Sequence, residues 1–283
     1  MTATHWDAQD LRRYVPIEIN YACRRMLCQA GRRHGDVGVR RTAEPTVRMR
    51  NLLIHGDATP ATPSLDQLIA RAADLPMGGR RAVLGITGSP GAGKSTLAEQ
   101  LVRRLVDGPP RQAAGEPWVA HVPMDGFHLA DVELDRLGRR DRKGAPDTFD
   151  AIGYAALLHR IRDNADAVIY APAFQRDLEQ PIAGSIAVPR SVRLVVTEGN
   201  YLLLEHGDWP RVRAQLDEVW FCEIDDTERL RRLVARHQRF GKDHDAAIAW
   251  AAGTDQRNAE LVAQTRGRAQ LTISAALPWA CGG

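Results

Sequence analysis

Gly88-Ser89-Pro90-Gly91-Ala92-Gly93-Lys94-Ser95, followed by Thr96, matches G-x-x-x-x-G-K-[ST] at every fixed position. Glycines at this spacing let successive backbone N–H groups turn inward around phosphate oxygens, and the start of a helix adds partial positive charge. Lys94 has the reach for the β- and γ-phosphates of a nucleotide, and the Ser95 hydroxyl suits Mg²⁺. The flanks agree with this reading. Val83 to Ile86 is a short apolar run, and Leu97, Leu101 and Leu105 recur at helical spacing afterwards. Strand, glycine loop and helix form the context the motif requires.

The chain is rich in Arg but has only three lysines, Lys94, Lys143 and Lys242. All three lie in motif-like segments. A position that keeps Lys against such a bias suggests a need for a compact ammonium rather than a planar guanidinium.

A phosphate loop alone says nucleotide, not reaction. A GTPase needs N-K-x-D to read guanine, and none of the three lysines follows an Asn. No longer signature of the transporter ATPases precedes an acidic strand. A small-molecule kinase remains, and such an enzyme needs a base at the acceptor hydroxyl, cations around the moving phosphoryl group, and a lid. Asp125, in Met124-Asp-Gly-Phe-His128, follows a strand and fits the base; a turn Asp capping the next helix is the simpler alternative. His128 is close by. Glu198 ends Leu194-Val-Val-Thr-Glu198 and suits the acidic position that orients Mg²⁺ through water. Arg142 and Lys143 could hold an anionic or hydroxylated acceptor, or belong to solvated surface. Tyr170, Arg176 and Glu179 could line an acceptor pocket, or serve as scaffold. In the Arg-rich run 228–242, Arg232 and Arg236 lie one turn apart and could close on phosphates, with Lys242 beyond.

The elements that must position these residues alternate. Ser64 with Gln67 forms a capping-box pattern ahead of a helix through Leu75. Strands are expected at 83–86, 118–124, 167–170, 194–198, 218–224 and 269–273, with 181–188 pairing nearby as an irregular hairpin. Helices are expected after Lys94, from Asp150 through Ile161, at 227–237, near 244–251 and at 255–265. Alternation of this kind implies a P-loop α/β fold: a doubly wound parallel sheet with helices on both faces and a helical lid. Ligands then gather at the C-terminal strand ends, where the phosphate loop, Asp125 and Glu198 all fall.

At 283 residues and 44% hydrophobic, the chain can bury one α/β core with a small appendage. Residues 1–60 lack steady periodicity and read as a poorly ordered Arg-rich extension; residues 64–275 read as the kinase domain and 276–283 as a tail. Residues 1–50 hold ten Arg and five acids, so the rest of the chain is slightly acidic, and no nucleic-acid partner is expected for the catalytic part. Met49 is an alternative start. Cys23, Cys28, Cys222 and Cys281 form no C-x-x-C pair and no metal spacing, which suits a reducing cytoplasm. No run reaches the length of a membrane span, and no signal peptide is visible.

Met124–His128, the Arg142–Asp150 segment RKGAPDTFD, Glu198–Leu204 and the Arg-rich run, in this order after the glycine loop, resemble the phosphoribulokinase/uridine kinase superfamily. The likeness is greatest to its bacterial uridine kinase-like branch, the nucleoside/nucleotide kinase family with fructose kinase-like members. RKGAPDTFD is also similar to the Arg-Lys-Gly-x-Pro-Glu-Ser motif of type I pantothenate kinase, with Asp147 and Thr148 in place of Glu and Ser. The resemblance covers about residues 64–275. It implies ATP- and Mg²⁺-dependent phosphorylation of a small hydroxylated metabolite, with Asp125 as the catalytic acid of the strand-end motif. It places Asp255 and Asn258 near the pocket, and it is compatible with a homodimer. Gln270 departs from the expected Asp. The rival from another class is a nucleotide-dependent ATPase or switch with no acceptor.

Overall fold

The computed structural model describes residues 63–76, 80–108 and 116–274. The readings placed on residues 1–60, on Met49, on Cys23, Cys28 and Cys281 and on 276–283 lie outside these. In chain order the strands are β1 (Ala82–Gly88), β2 (Val119–His121), β3 (Val168–Gln175), β4 (Gln180–Pro189), β5 (Leu194–Glu198), β6 (Glu218–Glu223) and β7 (Leu271–Ser274). The helices are α1 (Leu65–Asp74), α2 (Lys94–Asp107), α3 (Asp131–Arg136), α4 (Ala151–Asp163), α5 (Trp209–Arg213), α6 (Asp226–Arg239), α7 (His244–Trp250) and α8 (Gln256–Ala263).

Five strands form one parallel sheet in the order β2-β5-β1-β6-β7. The apolar residues of its inner strands alternate between two cores, because successive side chains leave a strand on opposite faces. Val83, Val195 and Val219 meet Tyr154, Leu158 and Ile161 of α4 on one face. Leu84, Val196 and Trp220 meet Leu68 of α1 and Leu97 and Leu101 of α2 on the other. Helices on both faces of a parallel sheet are what the alternation of elements implies.

The capping box at α1 is present: Ser64 accepts from the Gln67 N–H and the Gln67 side chain accepts from the Ser64 N–H. Gln270, the departure noted above, has a structural task. Its side-chain oxygen accepts from the Val219 N–H at 2.7 Å and its own N–H donates to the Val219 carbonyl at 3.0 Å, which seats the chain entering β7 beside β6.

Two expected strands change shape. The 118–124 run narrows to β2 and passes at Met124–Phe127 into a 3₁₀ turn. The 167–170 run extends to Gln175 and pairs antiparallel with β4, with a bulge between Ala171 and Ala173. The hairpin packs on the 3₁₀ turn. A Cβ added at Gly126 would lie 2.4 Å from the Pro172 carbonyl oxygen and 2.7 Å from its carbon. Backbone cannot move aside as a flexible side chain can. Gly126→Ala is therefore expected to cost about 1–3 kcal/mol, a loss of roughly 2–12 °C in thermal midpoint. A melting curve superimposable on the parent's would refute this packing argument.

Candidate active site

Backbone pairing brings the chemistry together. Ile86 of β1 stands opposite Glu198 of β5, and the Gly199 N–H donates to the Ile86 carbonyl at 3.0 Å. On the other side of β5, the Val122 N–H donates to the Val196 carbonyl at 2.9 Å. The Thr197 hydroxyl donates to the Val122 carbonyl at 2.5 Å and also bonds the buried Tyr154 hydroxyl. The Asp125 turn and Glu198 are thus tied to one another through a buried polar chain, not only through the sheet.

The phosphate loop has the backbone its glycines allow: Gly91 and Gly93 have φ of 84° and 85°, the left-handed region. Gly93 is the N-cap of α2. A Cβ on Gly91 would also lie 2.9 Å from Leu233 and 3.0 Å from the Arg229 carbonyl oxygen, so α6 rests directly on the loop. Lys94 is only 8% exposed, and its ammonium donates to the Ser89 carbonyl at 3.0 Å.

A cavity of about 490 Å³ runs from Lys94 and Ser95 past Asp125 and Glu198 to His128, Phe149 and Phe174. All three lysines of the chain line it. Ser95 donates to the Glu198 carboxylate at 3.1 Å, and Arg176 donates to Asp125 at 3.3 Å. Burial pushes the Glu198 carboxyl up to about 7, helped by the negative charge of Asp125 and opposed by Lys94. Burial would also raise Asp125, but His128, Arg176 and Arg236 hold it below the usual carboxylate range. Burial lowers Lys94 and His128. Of the two neighbouring carboxyls, Glu198 is therefore the one that takes a proton near neutrality, and Asp125 stays ionised.

The sign of the resulting pH dependence follows. A carboxyl raised from 4.5 to about 7 favours its protonated form in the folded chain. Its stabilising contribution is full below about pH 4.5 and is lost as pH rises through about 7. Glu198→Gln mimics the protonated form. It is expected to match the parent's stability near pH 5 and, without nucleotide or Mg²⁺, to exceed it by about 1–3 kcal/mol at pH 8. Chemical denaturation across this range checks it; parallel stability curves for the two proteins would refute it.

The cavity gathers most of the residues singled out by sequence: Lys94, Ser95, Asp125, His128, Lys143, Arg176, Glu179, Glu198, Arg236, Lys242, Asp255 and Asn258 all line it. Outside the phosphate loop, three others do not. Tyr170 is 61% exposed, on the outward side of the hairpin, because alternate residues of β3 face opposite ways. Arg142 turns back onto Asp147 at 2.6 Å. Arg232 is held one turn back along α6 by Glu228 at 2.7 Å, so α6 presents Arg236 to the cavity without it. Lys143 lines the cavity, yet it is bound to Asp131 at 2.7 Å and to the Glu179 carbonyl, with its ammonium 5.3 Å from the Phe174 ring centroid. Sequence reasoning missed Phe149, Phe174, His237 and Trp250. The first two stack around His128, with ring centroids 4.0 and 4.6 Å away. His237 bonds Asp255 at 2.7 Å across 18 residues, a pairing no local pattern signals.

Residues 57–114 match the family model described as methylmalonyl Co-A mutase-associated GTPase MeaB. That match is confined to the phosphate loop and its flanks. The "Putative uridine kinase C227.14" of Schizosaccharomyces pombe is 32% identical over 182 residues, covering 63% of this chain and 75% of that one. A pantothenate kinase of Leifsonia xyli subsp. xyli is 30% identical over 168 residues, covering 59% of this chain and 49% of its own length. A crystal structure described as "putative fructose transport system kinase", from Silicibacter sp. TM1040, is 35% identical with a TM-score of 0.66. It is covered to 98% by 74% of this chain. Fold and relatives together define a P-loop phosphotransferase of the small-molecule kinase class. The chain belongs to the uridine kinase-like family of P-loop kinases. Among the described residues, no helix is long and apolar enough to cross a membrane.

Proposed function

We propose that the chain transfers the γ-phosphate of ATP to a hydroxyl of a nucleoside, sugar or related metabolite, with Asp125 as the base. One observation carries this reading: the cavity does not stop at the phosphate loop but continues past Asp125 to an aromatic wall, leaving room for an acceptor. In the reaction the acceptor oxygen forms a bond to Pγ as the bond from Pγ to the β-bridging oxygen breaks, leaving ADP. The hydroxyl proton passes to the Asp125 carboxylate. Lys94 and the N–H groups of residues 88–96 hold the β- and γ-phosphates. Arg236 neutralises charge on the transferring group.

The donors present also fit Mg²⁺. Among the described residues no cluster of three His, Cys, Asp or Glu could cage a metal alone. A hydroxyl from Ser95 and a buried carboxylate from Glu198 suit an ion that keeps several waters and takes its other ligands from phosphate. When bound, it would offset the charge on the β- and γ-oxygens.

The test is ATP consumption by the purified chain across a panel of hydroxyl metabolites, with Asp125→Asn run in parallel. A strong, Asp125-dependent response to one compound supports the reading. Slow hydrolysis indifferent to every compound would replace it with a nucleotide-driven ATPase.

A further inference from the structure

Arg236 of α6 lines the cavity, and its guanidinium is close enough for its charge to act on both Asp125 and Lys94. Arg231 and Arg232 of the same helix are each fixed by Glu228, at 2.6 and 2.7 Å. Arg236 has no carboxylate partner among the described residues. Its aim is therefore set by where α6 lies, not by an ion pair of its own.

α6 is held at two levels. Its first half rests on the phosphate loop, where Arg229 and Leu233 approach Gly91. Arg229 also donates to Asp226 at 2.8 Å and to the Gln256 side chain at the start of α8. One turn after Leu233, the His237 Nε2–H donates to the Asp255 carboxylate at 2.7 Å. Residues three and four apart share a helix face, so Leu233, Arg236 and His237 neighbour one another. The last turn of α6 is thus anchored directly beside Arg236.

The partner in that bond is specially placed. Asp255 ends a π-helical turn, Ala251–Asp255, that joins α7 to α8. Such turns are rare and occur frequently at functional sites. The side chains of His237 and Asp255 are only 14% and 10% exposed. A carboxylate this enclosed needs a donor, and His237 supplies it. The Trp250 ring stands edge-on to the His237 ring at 6.5 Å. His237 and Asp255 both line the cavity, so the bond borders the site itself.

We propose that His237 and Asp255 are positioning residues: their bond fixes the last turn of α6 against the turn leading into α8, and so holds Arg236 toward the phosphoryl group in transfer. This rests on the role given to Arg236 in the kinase reading above and deepens it. His237 acts through Arg236 and has no need to touch the phosphates.

The test uses ADP with aluminium fluoride and Mg²⁺, a mimic of the phosphoryl group in transfer that requires no acceptor. Its affinity for the full chain is measured by calorimetry beside that of ADP with Mg²⁺ alone. Arg236→Ala is expected to weaken the mimic by about 10²-fold. His237→Ala should weaken it by about tenfold or more and ADP alone by less than about twofold. Made in the Arg236→Ala background, His237→Ala should add less than about twofold, because the two residues act as a unit. Asp255→Asn keeps an acceptor for the His237 N–H and should retain more of the mimic's affinity than Asp255→Ala. If His237→Ala fails to fold, His237→Gln and Asp255→Asn carry the same comparison.

A pair that only stabilises the fold would weaken ADP and the mimic alike, or give losses that multiply with Arg236→Ala; either result overturns the inference. Loss of the mimic in Arg236→Ala but not in His237→Ala also overturns it, and leaves the role of Arg236 standing. Unchanged affinity in Arg236→Ala removes that role from the kinase reading, and this inference with it.

Discussion

Asp125→Asn is expected to lower turnover by about 10²–10⁴-fold while ATP still binds and the fold holds. The amide keeps the size of the carboxyl but neither its charge nor its capacity to accept a proton. Asp125 stays ionised in spite of burial because His128, Arg176 and Arg236 surround it with donors and positive charge. A carboxylate held in this state is a weak base in bulk terms. Its advantage is position: it follows β2 at the C-terminal end of the sheet and lines the same cavity as Lys94 and Ser95. The substitution has a second consequence. The Asp125 charge is one of the two causes that lift the Glu198 carboxyl to about 7. Removing it should lower that value, so the low residual activity should tolerate more acid than the parent's. Turnover of Asp125→Asn within about tenfold of the parent on the best acceptor would rule Asp125 out as base.

How much of this was legible beforehand depended on the range of the interactions concerned. The phosphate loop, the capping box at Ser64 and the apolar strands β1, β5 and β6 are local patterns, and each is present in the structure. A continuous apolar run in a strand buried on both faces and a glycine-to-helix transition leave marks within about ten residues. The strand-end rule was enough to bring Lys94, Asp125 and Glu198 to one cavity, although they are far apart in sequence.

The errors come from side-chain partners that sequence does not order. Arg142 and Asp147, or Arg232 and Glu228, are close in sequence, but each Arg had several candidate partners. Which one wins depends on the turn at Arg140–Arg142 and on the face of α6 that packs against the loop. Tyr170 follows from its place in the run after a strand only as a candidate; the register of β3 against β4 decides its face. Lys143 shows the limit from the other side. Its position in the cavity was legible; that its charge is already used by Asp131 was not. That pairing changes the chemistry it suggests, from holding an anion to bracing the hairpin against α3.

Lys94→Ala is expected to reduce kcat by about 10²–10³-fold, the scale of removing one preorganised charge from a transition state. The argument for Lys rather than any cation is geometric. Its ammonium is enclosed, 3.0 Å from the Ser89 carbonyl, with Glu198 and Asp125 close enough to act on its ionisation. Burial lowers its proton affinity, and the two carboxylates restore part of it. A guanidinium has a wider planar head and two more donors to satisfy in the same space. Lys94→Arg should therefore fail nearly as badly as Lys94→Ala, even though it preserves charge. That comparison also bears on why an Arg-rich chain keeps its three lysines in a single cavity. Without Lys94 the pair of carboxylates loses its buried counter-charge, and Glu198 should hold its proton to still higher pH. Nucleotide affinity measured by calorimetry, beside steady-state turnover, separates the two effects. Lys94→Arg within about tenfold of the parent in kcat would show that the site asks only for positive charge, and the case for a compact ammonium would fall.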